Sequence, residues 1–178
     1  MAYRMVSGYT EWYTNPPAPV TSAFGRLTGN RTYLLDIGEE ILTAYYYDDC
    51  ENVVQSRSTN HLGGYDSNFF AYTFSGKLKK HYHIHTVSGK LSQTELYTYE
   101  YDHSDRLVSV SHSVNGCSPV YLMQHNYDEF CRLSGTLFHN GRIMVEYTYN
   151  VRDWMTRISS TEFNQTLHYT DGSWHSPI

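Results

Sequence analysis

Three histidines, His81, His83 and His85, alternate along one short stretch, the spacing at which side chains share a face of a β-strand. Imidazoles at i and i+2 lie about 6–7 Å apart. The three can therefore converge on a metal ion, with a fourth ligand from a neighbouring strand. Two histidines plus a third ligand is a set that zinc accepts. The competing reading is a solvated strand face, with Tyr82 and Ile84 turned to the packed side. Ten histidines in the chain also raise the odds of such a cluster by accident.

Carboxylates are the second candidates. Asp102 with Asp105, or Asp48 with Asp49 and Glu51, have the residue types for acid–base work or a calcium loop. Calcium loops need more oxygen ligands at regular alternation, and glycosidase carboxylates face each other across a groove at about 5–10 Å. Aspartates bonding backbone N–H groups within their own turns explain all these positions at once. Tyrosines and Trp12, Trp154 and Trp174 can stack on sugars, but aromatic ladders across strands also hold sheets together. G-x-S-x-G, P-loop and H-E-x-x-H motifs are absent. The sequence supports no enzyme and calls for no cofactor.

Composition narrows the partners. The chain has 178 residues, room for one ordinary domain. Tyrosine is the outlier at 18 residues, which favours strands over helices. A net charge of −5 with scattered basic residues makes no phosphate-binding stripe, so nucleic acid is not expected as a partner. Cys50, Cys117 and Cys131 are too few and too far apart for a disulfide framework and read as free thiols. No apolar run approaches the roughly 18 residues of a membrane span. The first residues lack the apolar core of a secretory signal, so the chain as written is expected in the cytoplasm. As part of a larger exported protein it would instead be secreted or at the cell surface.

These residues are positioned by a repeat. Five times a tyrosine is followed six residues later by an aliphatic residue or methionine, across a polar, turn-like stretch. The pairs are Tyr47 and Val53, Tyr72 and Leu78, Tyr101 and Leu107, Tyr127 and Leu133, and Tyr149 and Met155. Successive tyrosines are 25, 29, 26 and 22 residues apart, a period that signals a repeat architecture. Apolar residues alternate before each tyrosine, as in Tyr97, Tyr99 and Tyr101, in Val145, Tyr147 and Tyr149, and in Met123 and Tyr127. Such alternation predicts strands. A second turn closes the units at Gly63-Gly64, Ser88-Gly89, Asn115-Gly116 and Asn140-Gly141, and in Asn-Gly both residues tolerate positive φ. Each repeat is then two strands and two turns, and the whole an antiparallel meander of about ten strands. Residues 31–46 add a hairpin around Ile37-Gly38-Glu39-Glu40. After Leu107 the alternation is mixed, with Val108, Val110 and Val114 opposed to it, so both faces are expected to be partly buried.

The tyrosine-aspartate pair, the polar turn and the closing Arg-Leu resemble the YD repeats of the RHS family, whose pattern is approximately Tyr-Asp-x-x-Gly-Arg-Leu. Tyr101-Asp102 to Arg106-Leu107 and Tyr127-Asp128 to Arg132-Leu133 match best, and Gly76-Lys77-Leu78 resembles the second half. The resemblance covers about residues 33–170. It implies a long β-sheet spiralling into a hollow shell that encloses a C-terminal toxin, or, in animal relatives, a barrel bearing adhesion modules. The turn glycine survives only as Gly76, with Glu51, Asp105, Cys131 and Asp153 in its place. Thr73 and Asn150 stand where the aspartate would be.

The expected fold is therefore all-β: an irregular proline-rich segment over residues 1–30, then a curved, repeat-type YD-repeat sheet over 31–178. The five tyrosines and their closing partners should pack one repeat on the next. The expected function is non-enzymatic, part of an encapsulating shell that houses or displays another polypeptide. The alternative is a module whose tyrosine-rich face binds carbohydrate or protein. A lone sheet leaves a face and two edges to cover, so self-association or union with the remainder of a larger chain is expected.

Overall fold

Turn chemistry dictates where the strands break. The computed structural model describes residues 25–169. The proline run at 15–20, Trp12, Tyr13 and Trp174 lie outside the described residues. Twelve strands follow one another: β1 (Gly29–Leu34), β2 (Glu39–Tyr47), β3 (Val53–Thr59), β4 (Tyr65–Tyr72), β5 (Leu78–Thr86), β6 (Gln93–Tyr101), β7 (Leu107–Val114), β8 (Val120–Tyr127), β9 (Leu133–Phe138), β10 (Ile143–Tyr149), β11 (Met155–Ser160) and β12 (Asn164–Thr166). They form a single antiparallel meander in chain order, not closed, with no helix among the described residues. No described helix is long and apolar enough to cross a membrane.

The five tyrosines are the last residues of β2, β4, β6, β8 and β10, and their closing partners are the first residues of β3, β5, β7, β9 and β11. β1 completes the hairpin expected over residues 31–46, and β12 extends the array beyond the strands expected. Pairing starts at Gly29, opposite Ala44. A Cβ on Gly29 would fall 2.7 Å from the Thr43 carbonyl oxygen, so only glycine admits this close approach. Glu39 and Glu40 lie in β2 rather than in the hairpin turn.

A β-bulge recurs beside the turn in four of the tyrosine hairpins. Register shifts fall between Tyr46 and Tyr47, Ala71 and Tyr72, Asn126 and Tyr127, and Thr148 and Tyr149. In each case the residue after the closing aliphatic is skipped: Val54, Lys79, Ser134 and Thr156. A bulge switches the alternation phase and sharpens the local twist. Neighbouring residues on opposite faces are accordingly buried together, as at Val54 and Gln55, Ser109 and Val110, and Gly135 and Thr136.

Contacts divide the chain into two compact units. One runs to Tyr99 and includes His112–Pro119; the other comprises Glu100–Ser111 and the chain from Val120. In the first, Val54, Phe69 and Ala71 are buried; in the second, Val110 is. Burying Phe69 contributes about 1.5–3 kcal/mol. All three cysteines are free and exposed.

Candidate functional site

The five tyrosine turns share a side-chain cap and a residue of positive φ, and several add an arginine contact and a tyrosine-hydroxyl bond. The residue after the tyrosine caps the turn: Asn52 N–H donates to Asp48 Oδ1 (2.8 Å), Lys77 N–H to Thr73 Oγ1 (3.0 Å), Arg106 N–H to Asp102 Oδ1 (2.9 Å), Arg132 N–H to Asp128 Oδ1 (2.9 Å) and Trp154 N–H to Asn150 Oδ1 (3.1 Å). Thr73 and Asn150 thus do the work of the aspartates. The fourth residue after the tyrosine has positive φ in all five turns: Glu51 (70°), Gly76 (81°), Asp105 (61°), Cys131 (64°) and Asp153 (61°). Four side chains stand where the backbone favours glycine.

The arginine at the fifth position faces two ways. Arg106 Nε and Arg132 Nε each donate to Oδ2 of their own turn's aspartate at 2.7 Å. The same guanidiniums lie over the next repeat's tyrosine, 4.4 Å from the Tyr127 ring centre and 4.9 Å from that of Tyr149. Arg132 also pairs with Asp153 of the next turn (2.7 Å), as Arg26 does with Glu51 (2.7 Å). At these two turns the residue that replaces glycine is an acid held by the preceding repeat's arginine.

The tyrosine-hydroxyl bond locks repeat to repeat. The hydroxyl of Tyr47 donates to the Leu27 carbonyl oxygen, Tyr72 to Val53, Tyr127 to Leu107, Tyr149 to Leu133 and Tyr169 to Met155, every one at 2.8 Å. The acceptors are the closing residues of the preceding repeat. Leu27 and Tyr169 belong to this series but were not recognised from the sequence. The signal at the first was Gly25-Arg26-Leu27, with Gly25 at φ 78° and Arg26 over the Tyr47 ring at 5.5 Å. Asp102 is held below the ordinary carboxylate range by the Arg106 backbone N–H, with the guanidinium adding to it. Burial pushes Asp128 up, but the Arg132 backbone N–H and guanidinium outweigh it and hold the group low. These carboxylates are occupied within their own turns.

His81, His83 and His85 share one face of β5, flanked by residues of β4 and β6. His85 pairs across with Asp66, His83 with Asn68, and His81 with Phe70. On the other side of β5, His81 pairs with Tyr97 and His83 with Glu95. His81 sits in an aromatic ladder: Phe70 to His81 at 4.7 Å, His81 to Tyr97 at 5.7 Å, and Tyr97 to His112 at 4.2 Å, all stacked. Burial there pushes the His81 pKa down, His83 pushes the same way, and Glu95 opposes. Asn68 Nδ2 donates to Ser56 Oγ (3.2 Å), which turns Asn68 Oδ1 to His81 Nε2 and His83 Nδ1, each at 2.9 Å. Both imidazoles are then donors at those atoms, and neutral His83 keeps its lone pair on Nε2. The three histidines do not converge. Asp66, His83 and His85 do, each offering a ligand atom within 4.8 Å of the others.

The opposite face of the first unit carries a cleft of about 240 Å³, floored by Phe69 and bordered by Gln55, Arg57 and Tyr65. Gln55 is 1% exposed, and neither of its amide atoms has a hydrogen-bond partner. Arg57 lies over the Tyr65 ring at 4.3 Å. In the second unit Trp154 packs against Tyr169, ring centres 5.0 Å apart.

No family model and no curated protein sequence matches the chain. Among solved structures it is similar to a chain in the crystal structure of TcdB2-TccC3-Cdc42, at TM-score 0.34 and 14% identity. That match takes in 67% of this chain and spans 7% of the other. A likeness so slight carries no argument about function.

Proposed function

We propose that this protein is a structural repeat sheet, part of a wall of the YD-repeat kind that houses or displays another polypeptide and catalyses no reaction. One observation carries the reading: the tyrosine hydroxyl that reaches back to the preceding repeat's closing carbonyl at a constant 2.8 Å. The residues that recur in the sequence are spent on joining repeats. The two ends of the strand order, β1 and β12, are where a second copy or the rest of a longer chain would add to the sheet. Apolar side chains at the turn tips, Phe74, Phe130 and Val151, are exposed and suit contact with another polypeptide. Fusion of a protease-sensitive reporter polypeptide to the chain, followed by native protease treatment, tests the wall. Digestion of that polypeptide should slow at least about tenfold in the presence of the sheet. Equal rates with and without it would overturn the reading.

The cleft beside Gln55 supports a second reading, a module that binds carbohydrate or peptide. A buried, unpartnered amide costs stability unless something bonds to it, and Arg57 with Tyr65 offers a donor fork and an aromatic wall. An oligosaccharide panel read by intrinsic fluorescence, with Arg57→Ala for comparison, decides it. Saturable binding lost in the variant is expected; silence across the panel sinks it.

A further inference from the structure

We propose that Asp66, His83 and His85 bind one divalent transition-metal ion of the zinc class, clamping β4 to β5 and leaving a coordination position open to solvent or to a partner's donor.

The sheet builds the triad. His83 and His85 are two residues apart on β5 and share a face; Asp66 is the direct cross-strand partner of His85 on β4. Their three ligand atoms lie within 4.8 Å of one another. His85 Nδ1–H donates to Asp66 Oδ1 at 2.5 Å, with the two side chains 33% and 26% exposed. Ligand atoms around tetrahedral zinc stand about 3.3 Å apart, given metal–ligand distances near 2.0–2.2 Å. The ion takes the place of that hydrogen if the pair opens by about 0.8 Å and the third ligand closes by at most about 1.5 Å. Such changes are within side-chain reach on a half-buried sheet face.

The ring of groups around the triad fits the same ion. His83 Nδ1 donates to the Asn68 carbonyl oxygen, the outer contact that orients a metal-binding imidazole and leaves Nε2 for the ion. Asn68 is held in turn by Ser56. Glu95, across from His83 on β6, adds negative charge beside the site. Two imidazoles and one carboxylate suit zinc, cobalt, nickel or copper and exclude calcium and magnesium, which want oxygen ligands. Three protein ligands leave the fourth position free, as in an open zinc site.

The test is titration of the chelator-treated protein with zinc chloride near neutral pH, followed by calorimetry. One saturable equivalent per chain is expected. Asp66→Asn, which preserves side-chain shape, and His85→Ala should each weaken binding at least about tenfold. His61→Ala, in an exposed turn, should leave it unchanged. Cobalt should give intensified visible bands that vanish in Asp66→Asn, a readout independent of heat. Circular dichroism of the variants separates loss of ligand from loss of fold. Absence of saturable binding in the parent protein overturns the site. So does binding that survives both ligand substitutions, since the ion would then sit on other histidines.

Discussion

Replacing Cys131 by glycine should stabilise the protein, although it removes a side chain and adds no contact. Cys131 holds φ at 64°, and a left-handed backbone costs an L-residue about 1–2 kcal/mol. Glycine removes that cost but adds roughly 0.5–1 kcal/mol of unfolded-state entropy. The net gain is about 0.5–1 kcal/mol. Gly76 is the converse. A Cβ there would meet nothing within 4 Å, so Gly76→Ala carries backbone strain alone and should cost about 1 kcal/mol. The acids at the same position serve as internal controls. Glu51→Gly and Asp153→Gly also relieve the backbone, but each gives up an ion pair with Arg26 or Arg132 worth about 0.2–1 kcal/mol at the surface. Those two should come out near neutral. Urea unfolding of the four variants reads the order, and for a chain of this size the Cys131→Gly gain appears as a rise of roughly 1–4 °C in Tm. A destabilised Cys131→Gly, or a neutral Gly76→Ala, would refute the claim that this position is governed by backbone conformation.

Two further outcomes follow from the turns. Tyr127→Phe keeps the ring under Arg106 but strips the hydroxyl from the Leu107 carbonyl, and should cost about 0.5–1.5 kcal/mol in urea midpoint analysis; no change would mean the lock is ornamental. Asp102 and Asp128 have carboxyls lowered in the folded state, so the unfolded chain takes up protons first. Their contribution is complete above the unfolded value near pH 4 and is lost as pH falls through the lowered folded value. Asp102→Asn/Asp128→Asn should flatten the acid limb of the stability curve, and an unchanged limb would count against their pairing with Arg106 and Arg132.

The tyrosines and their closing partners were legible because each ends or begins a strand beside a turn whose chemistry is local. Asp48, Thr73 and Asn150 cap within five residues of chain, and Asn-Gly pairs set their own backbone. Asp66 was not legible, because its position depends on a bulge. Counting back from Tyr72 opposite Leu78 without one would place His85 across from Tyr65 and His83 across from Ser67. The skipped Lys79 moves His85 to Asp66 and His83 to Asn68. The acids at the glycine position looked like departures from the repeat. For Glu51 and Asp153 the reason lies in Arg26 and Arg132, 25 and 21 residues earlier and one repeat away.

The back-reaching hydroxyls give the array a direction in time. Each donor tyrosine is later in the chain than its acceptor carbonyl, by 14 to 20 residues. During synthesis every acceptor therefore leaves the ribosome before its donor, and each new hairpin meets a neighbour already in place. Loop closure over so short a span carries a small entropic cost, and neighbour-only pairing keeps the contact order of an all-β chain low. The sheet can grow in the order in which it is translated, with no strand held open for a partner from the far end.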